Sequence, residues 1–199
     1  MAKGSELKGR IKSVENTKKI TRTMEMVATS KMKRAVDRVA AARPYAAALT
    51  EVIGDLYSDE LAQQFPLLRQ PSQMRNVAHI ILTSNRGLCG GFNANLVKEA
   101  RTQLAALEQR GLKVELHVVG KKGIGFFKYV NRAMASQRID ISDRPTAADA
   151  SSLVDSLMAR FISGDLDAVF VTGSKFNSAM STPPTTTQVL PVKPPSGDR

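Results

Sequence analysis

The sequence is poor in the residues that mark several common protein classes. Its single cysteine, Cys89, excludes an internal disulfide and fits a reducing compartment. Tryptophan is absent and aromatics make up 5% of the chain, so the stacking platforms needed for single-stranded nucleic acid are missing. No apolar run approaches the roughly 18 residues of a membrane-spanning helix, and no signal-type segment follows Met1. The expectation is a protein that is soluble, or peripheral to a membrane through partners. The only histidines are His79 and His117. With one cysteine and no close His/Asp/Glu cluster, no zinc site can be built. Asp140, Asp143 and Asp149 are too loosely spaced for a metal site or an acid/base pair. The histidines read as core residues.

What the chain has is positive charge, concentrated at one end. Between Met1 and Arg43 stand twelve Lys or Arg against four Asp or Glu, a surplus of eight out of the chain's net +11. Apolar residues recur there at three- and four-residue steps. They are Leu7, Ile11 and Val14; Ile20, Met24 and Val27; then Met32, Ala35, Val39, Ala42, Ala46, Leu49, Ile53 and Leu56. This spacing predicts an α-helix from Glu6 to about Leu56 with one apolar stripe. The stripe loses phase between Val14 and Ile20. Ser5 is the expected N-cap, with Lys8 where a capping box would place Glu. Gly9 costs roughly 1 kcal/mol against Ala, and Pro44 is expected to kink or split the helix. About 50 residues at 1.5 Å each make a helix about 75 Å long. A helix that outruns its domain must project and needs a partner along its length. The basic residues surround the stripe instead of opposing it, which favours a shaft inside an acidic or polar collar. A polyanion such as nucleic acid is the alternative that charge alone suggests.

The remainder reads as alternating strand, turn and helix. Asn76 to Thr83 is a continuous apolar run, predicted as a strand buried on both faces. A glycine-rich turn from Ser84 to Asn93 leads into a helix from about Ala94 to Gln109, with Leu96, Ala100, Leu104 and Leu107 on one face and Gly111 as its stop. Lys113 to Val119 is a second strand, ended by Gly120. A short helix over Lys122 to Val130 and a weak strand over Ala133 to Ile139 follow. Ala147 to Ser163 is a helix with Leu153, Leu157 and Phe161 facing inward. Asp167 to Thr172 is another buried strand, and the proline-rich end leaves room for one edge strand, about Thr185 to Leu190. The fold class is α/β: a long N-terminal helix plus a Rossmann-like, doubly wound and mainly parallel α/β domain. The expected divisions are a basic helix over 1–57, a connection over 58–75, the α/β domain over 76–190 and a proline-rich tail over 191–199. The core available to such a chain is about 120 to 150 residues.

The loop Ser84-Asn85-Arg86-Gly87-Leu88-Cys89-Gly90-Gly91 sits where a nucleotide-binding fold places its phosphate loop. It is neither G-x-G-x-x-G nor G-x-x-x-x-G-K-[ST]. The structural reading is a tight strand-to-helix turn needing glycine dihedrals. Cys89 at a helix N-terminus could act as a nucleophile, and a small enzyme built on it is an alternative reading. It would need a base, and both histidines fall inside strands. A small residue packed in a crowded turn is the better reading.

Two stretches carry a resemblance. Ile11-Lys12-Ser13-Val14-Glu15-Asn16-Thr17-Lys18-Lys19-Ile20-Thr21, followed by Met24-Glu25-Met26-Val27-Ala28-Thr29-Ser30-Lys31-Met32, resembles the N-terminal helix of the gamma subunit of F-type ATP synthases. Ser84 through Asn93 is similar to the S-D-R-G-L-C-G-G-x-N of the same family, with Asn85 where Asp is common. Gly120-Lys121-Lys122-Gly123 and Lys175-Phe176-Asn177-Ser178 extend the likeness. The resemblance implies a noncatalytic central-stalk rotor without a cofactor, coupling proton flow to ATP synthesis or hydrolysis. It implies alpha and beta ring subunits, an epsilon subunit and the membrane c-ring as partners, and no nucleic acid. Shaft contacts would come from Lys18, Lys19, Arg22, Met24, Met26, Lys31, Met32, Lys33 and Arg34, with soft methionines suited to a surface that meets its partners in several orientations. Arg86, Gly87, Cys89, Gly90 and Gly91 would form a structural loop. The family's shaft is an antiparallel coiled coil completed by a C-terminal helix, and the sequence up to Arg199 holds no second such stripe, so a fragment of a longer protein is expected. A lone stripe of this length is expected to be poorly ordered or aggregation-prone. The implied location is peripheral, on the cytoplasmic face of a bacterial plasma membrane.

Overall fold

In the computed structural model the described residues are 2–192, without the side chains of Ala2, Lys3, Leu56 and Asp59. The proline-rich tail beyond Val192, and Leu56 as a stripe residue, lie outside this set. The chain falls into two compact units, Met1–Leu56 and Tyr57–Arg199.

The first unit is one helix, α1 (Ala2–Leu56). It starts earlier than expected, so Ser5 lies inside the first turns and is not the N-cap. Pro44 does not split it: helix continues on both sides. Proline removes only its own bond to the Ala40 carbonyl, and the long flanking segments supply the cooperativity that holds the register. Thr17, Thr21 and Thr23 return their hydroxyls to the carbonyls of Ser13, Thr17 and Lys19, so these polar side chains near the break in the stripe are satisfied locally.

The second unit begins with structure that the sequence reading left as connection. A short helix α2 (Asp59–Gln64), capped by the Ser58 hydroxyl, is followed by a 3-10 turn at Pro66–Leu68. Then come β1 (Asn76–Leu82), α3 (Phe92–Gln109), β2 (Lys113–Val119), α4 (Lys121–Tyr129), β3 (Ser136–Arg138), α5 (Ala147–Ile162), β4 (Ala168–Ser174) and β5 (Pro184–Leu190). The sheet order is β3-β2-β1-β4-β5, parallel except for the antiparallel edge strand β5. β1 lies at the centre and is buried from Val77 to Ile81. Its alternation splits the core. Ala78 and Ile80 pack with Leu157 and Phe161 of α5, while Ile81 packs with Ala100 and Leu104 of α3 and with Ile124 and Phe127 of α4. Helices therefore cover both faces, as the doubly wound pattern requires.

Two side chains join distant segments of this unit. Arg69 donates from Nε to the Phe161 carbonyl (2.8 Å) and from a terminal nitrogen to that of Leu166 (2.6 Å), with its guanidinium over the Phe161 ring at 4.2 Å. The Asp167 carboxylate accepts from the backbone N–H of Arg75 (2.7 Å) and of Asn76 (2.9 Å), fixing the start of β1 against β4. Asp167→Ala leaves both donors without that acceptor and should cost about 1–2 kcal/mol. Asp167→Asn keeps one oxygen and should cost less. Amide exchange at Asn76 and Val77 checks the order, and equal effects would show that the carboxylate is not the tie.

Candidate functional site: the exposed helix and the loop after the first strand

α1 exposes its stripe. Ile20, Met24, Met26, Val27 and Met32 stand 47% to 67% open along one helix, and a run of exposed apolar side chains of this kind marks an interaction surface. Lys18, Lys19, Arg22, Lys31, Lys33 and Arg34 are exposed on the same helix, with Arg34 donating to the Ser30 hydroxyl. Apolar and cationic residues thus share one surface, and the helix offers both dispersion contact and charge to whatever receives it.

The loop between β1 and α3 is closed by its own side chains. The Ser84 amide donates to Asn93 Oδ1 (3.0 Å), and Asn93 Nδ2 donates to Ser84 Oγ (2.8 Å) and Cys89 Sγ (3.2 Å). Asn85 binds three ways: its amide nitrogen donates to the carbonyls of Ile139 (3.1 Å) and Ile141 (3.3 Å), and its oxygen accepts from the Lys121 amide (3.0 Å). Asparagine, unlike aspartate, supplies both donor and acceptor here. Arg86 is exposed, 3.8 Å from Asp143. Gly87 faces the end of Lys122, and Gly91 is the N-cap of α3.

Two readings of this loop change. Cys89 is exposed, not packed in a crowded turn, because the loop lies beyond the carboxyl ends of the strands where no layer covers it. Only Gly90 of the three glycines takes positive φ (+56°); the other residue in that region is Leu88, at +60° and 93% exposed. Neither histidine bonds to Cys89. His79 is fully buried with Nε2 on the Thr172 hydroxyl (2.7 Å), and His117 pairs through Nδ1 with Ser136 (2.7 Å). Burial depresses the pKa of both rings: His79 falls to about 4 despite an opposing pull from Glu99, and His117 is lowered against the pull of Glu115. His79 is a core residue, as expected, whereas His117 is half-buried, and each keeps one buried nitrogen without a hydrogen bond among the described residues.

A cavity of about 400 Å³ lies between this loop, Gly120 and the start of α5. Its polar lining is already engaged. Thr146 and Asp149 cap α5 reciprocally, Asn85 is bonded as above, and Ser142 donates to the Arg144 carbonyl. No group of three or more His, Cys, Asp or Glu able to hold a metal occurs among the described residues. Sequence reasoning missed the ion pair of Arg160 with Glu115 (two bonds of 2.7 Å), which lowers the carboxylate pKa chiefly through the hydrogen bond from Arg160. It also missed a hydrogen-bond chain that starts at the buried His79 and Thr172. Both join residues from elements far apart in sequence, where no local spacing gives a signal.

A family model described as ATP synthase matches residues 3–198. An ATP synthase gamma chain of Gemmatimonas aurantiaca is 69% identical over 196 residues, covering 98% of this chain and 68% of that one. The chain belongs to the ATP synthase gamma-chain family. A gamma chain of Leptospira biflexa is 41% identical over 97% of this chain and 67% of its own length. Among solved structures, the central stalk and c-ring assembly of the Tetrahymena thermophila mitochondrial ATP synthase contains a similar chain, with a TM-score of 0.66 at 24% identity over 86% of this chain and 72% of that one. That likeness concerns the fold. As a member of the gamma-chain family the protein is a subunit of a complex, and these relatives support neither a nucleic-acid-binding helix nor an enzyme built on Cys89. No helix among the described residues is long and apolar enough to cross a membrane.

Proposed function

We propose that this chain is the noncatalytic central-stalk rotor subunit of an F-type ATP synthase, coupling proton flow to ATP synthesis or hydrolysis. The observation that carries the reading is the 69% identity to a gamma chain over nearly the whole sequence. The exposed stripe and cationic flanks of α1 supply a physical mechanism. An asymmetric shaft turning inside a ring of alternating alpha and beta subunits favours a different nucleotide-site conformation at each angle, because its contacts differ in free energy between those conformations. Met24, Met26 and Met32 provide the soft contacts, and Lys18, Lys19, Arg22, Lys31, Lys33 and Arg34 face acidic or polar loops of the ring. The loop of Arg86, Gly87, Cys89, Gly90 and Gly91 is structural, and the α/β domain meets the epsilon subunit and the c-ring at the cytoplasmic face of a bacterial plasma membrane.

Co-purification of the chain with isolated alpha and beta subunits tests this reading. The expected result is co-elution with the ring and a change in its ATP hydrolysis. Elution of the chain alone, with DNA binding that falls steeply with salt, would overturn it in favour of the charge-based alternative. Replacing Lys18, Lys19 and Arg22 together by Ala should weaken association by about 3- to 150-fold, since exposed ion pairs contribute about 0.2–1 kcal/mol each. The salt dependence of association should flatten in the same variant.

A further inference from the structure

His79 is the buried first member of a chain of hydrogen bonds that crosses four elements and runs out to the half-buried Thr186 and Glu99. Its Nε2 lies 2.7 Å from the Thr172 hydroxyl on β4, which lies 2.7 Å from the Thr186 hydroxyl on β5. Thr186 in turn donates to Glu99 Oε1 on α3 (3.1 Å), an oxygen that also accepts from Gln103 Nε2 (3.0 Å). The carboxylate can only accept, and that sets the direction of the whole chain. Thr186 gives its one proton to Glu99, so its oxygen must accept the Thr172 proton. Thr172 must then accept from His79, which makes Nε2 the protonated nitrogen. A neutral imidazole holds one N–H, so Nδ1 is bare. It is buried and without a hydrogen-bond partner among the described residues.

A proton arriving on Nδ1 would therefore be an unpartnered donor on a cation within the core. The groups around it offer little relief. α3 presents Glu99, already accepting two bonds; β4 presents Thr172 and the Phe170 ring, 6.4 Å away; β5 presents Thr186; β2 sets Leu116 beside it in the sheet. The imidazolium reaches water only if the structure opens. The weakest boundary is β5, an edge strand paired with β4 alone, whereas β1 and β4 are each paired on both sides.

We propose that the His79–Thr172–Thr186–Glu99 chain is a proton-gated latch, which holds β5 and α3 to the sheet while His79 is neutral and releases β5 first when Nδ1 is protonated. The direction of linkage follows. The folded state binds this proton more weakly than the unfolded chain, whose histidine titrates near 6.5, so the latch is fully closed above that pH. Its contribution is lost as pH falls from about 6.5 towards 4, by up to about tenfold in the closed-to-open ratio per pH unit.

Nitrogen NMR and amide exchange on the full chain test this. At pH 7.5 His79 should show Nε2 protonated and Nδ1 bare. Between pH 6.5 and 5, protection factors of β5 amides should fall about tenfold or more, ahead of those in β1. His79→Gln, whose side-chain amide can donate to Thr172 but does not titrate, should keep β5 protected and remove the extra pH dependence. An Nδ1–H tautomer, or wild-type β5 protection that falls no faster than that of β1, would overturn the latch whether or not the variant folds. So would the same pH slope in His79→Gln.

Discussion

Gly120→Ala should cost the α/β unit about 2–6 kcal/mol, a large share of the roughly 5–15 kcal/mol by which such domains are stable. Two independent terms lead there. Gly120 takes φ +98°, a region where a side chain costs about 1–3 kcal/mol. A Cβ at this position would also lie 2.2 Å from the Thr83 carbonyl oxygen and 2.6 Å from its carbon, so backbone must move, at about 1–3 kcal/mol more. The movement is confined because Thr83 is held from several sides. Its amide donates to the Val119 carbonyl (2.8 Å), its hydroxyl donates to the same carbonyl (2.8 Å), and that hydroxyl accepts from the Gly123 amide (2.9 Å). Gly120 itself donates to the Arg138 carbonyl (2.8 Å), so the strain spreads across the ends of β1, β2 and β3 together. Exchange rates of β1 and β2 amides should rise about 30-fold or more, at about 1.4 kcal/mol per tenfold. Gly125→Ala is the internal control. It lies in α4 with nothing near its added Cβ, and should be neutral or stabilising by up to about 1 kcal/mol. Similar effects at both positions would mean that the close approach to Thr83 is not what requires glycine.

How the sequence could be read differs between the sheet and the sites. β1 was legible because a strand buried on both faces is a continuous apolar run, and β2 because Val114, Leu116 and Val118 alternate with Lys113, Glu115 and His117 between Gly111 and Gly120. α3 and α5 were legible from Leu96, Ala100, Leu104 and Leu107 and from Leu157 and Phe161, whose spacing follows the helical period. The start of α1 was not, since Ser5 is a favourable cap in isolation, yet helix formation through Ala2 to Ser5 adds bonds that a cap there would forgo. The turn after β1 was legible as a turn but not in detail. The left-handed conformation that glycines were expected to take falls on Gly90 and on Leu88, and Cys89 faces solvent because its loop lies beyond the carboxyl ends of the strands. The latch around His79 is beyond any local pattern. Its members sit at positions 79, 99, 172 and 186, and only the strand order β1-β4-β5 beneath α3 brings them into line.

The shaft helix gives the other large effect. Ile20→Glu, Met24→Glu and Val27→Glu together should reduce association with the alpha and beta ring by more than about 1000-fold while leaving α1 helical. The second half of that statement makes the first readable. These side chains stand 61%, 47% and 52% exposed, so replacing them removes no core contact of the chain itself, and Glu is a better helix former than Ile or Val. Any loss must come from what the residues touch in the assembly. Burying such side chains is worth about 1.5–3 kcal/mol each, and a carboxylate forced into the same contact adds its own desolvation cost. Three together exceed the roughly 4 kcal/mol that a 1000-fold change requires. The exposed cations on the same helix number more, but each contributes only a fraction of that in water and salt. The ranking therefore separates two pictures of the shaft. If the glutamate triple abolishes association and neutralising Lys18, Lys19 and Arg22 weakens it by no more than about 150-fold, apolar contact holds the shaft and charge guides it into place. If the ranking is reversed, the collar grips the helix by charge, and the apolar stripe faces a different partner.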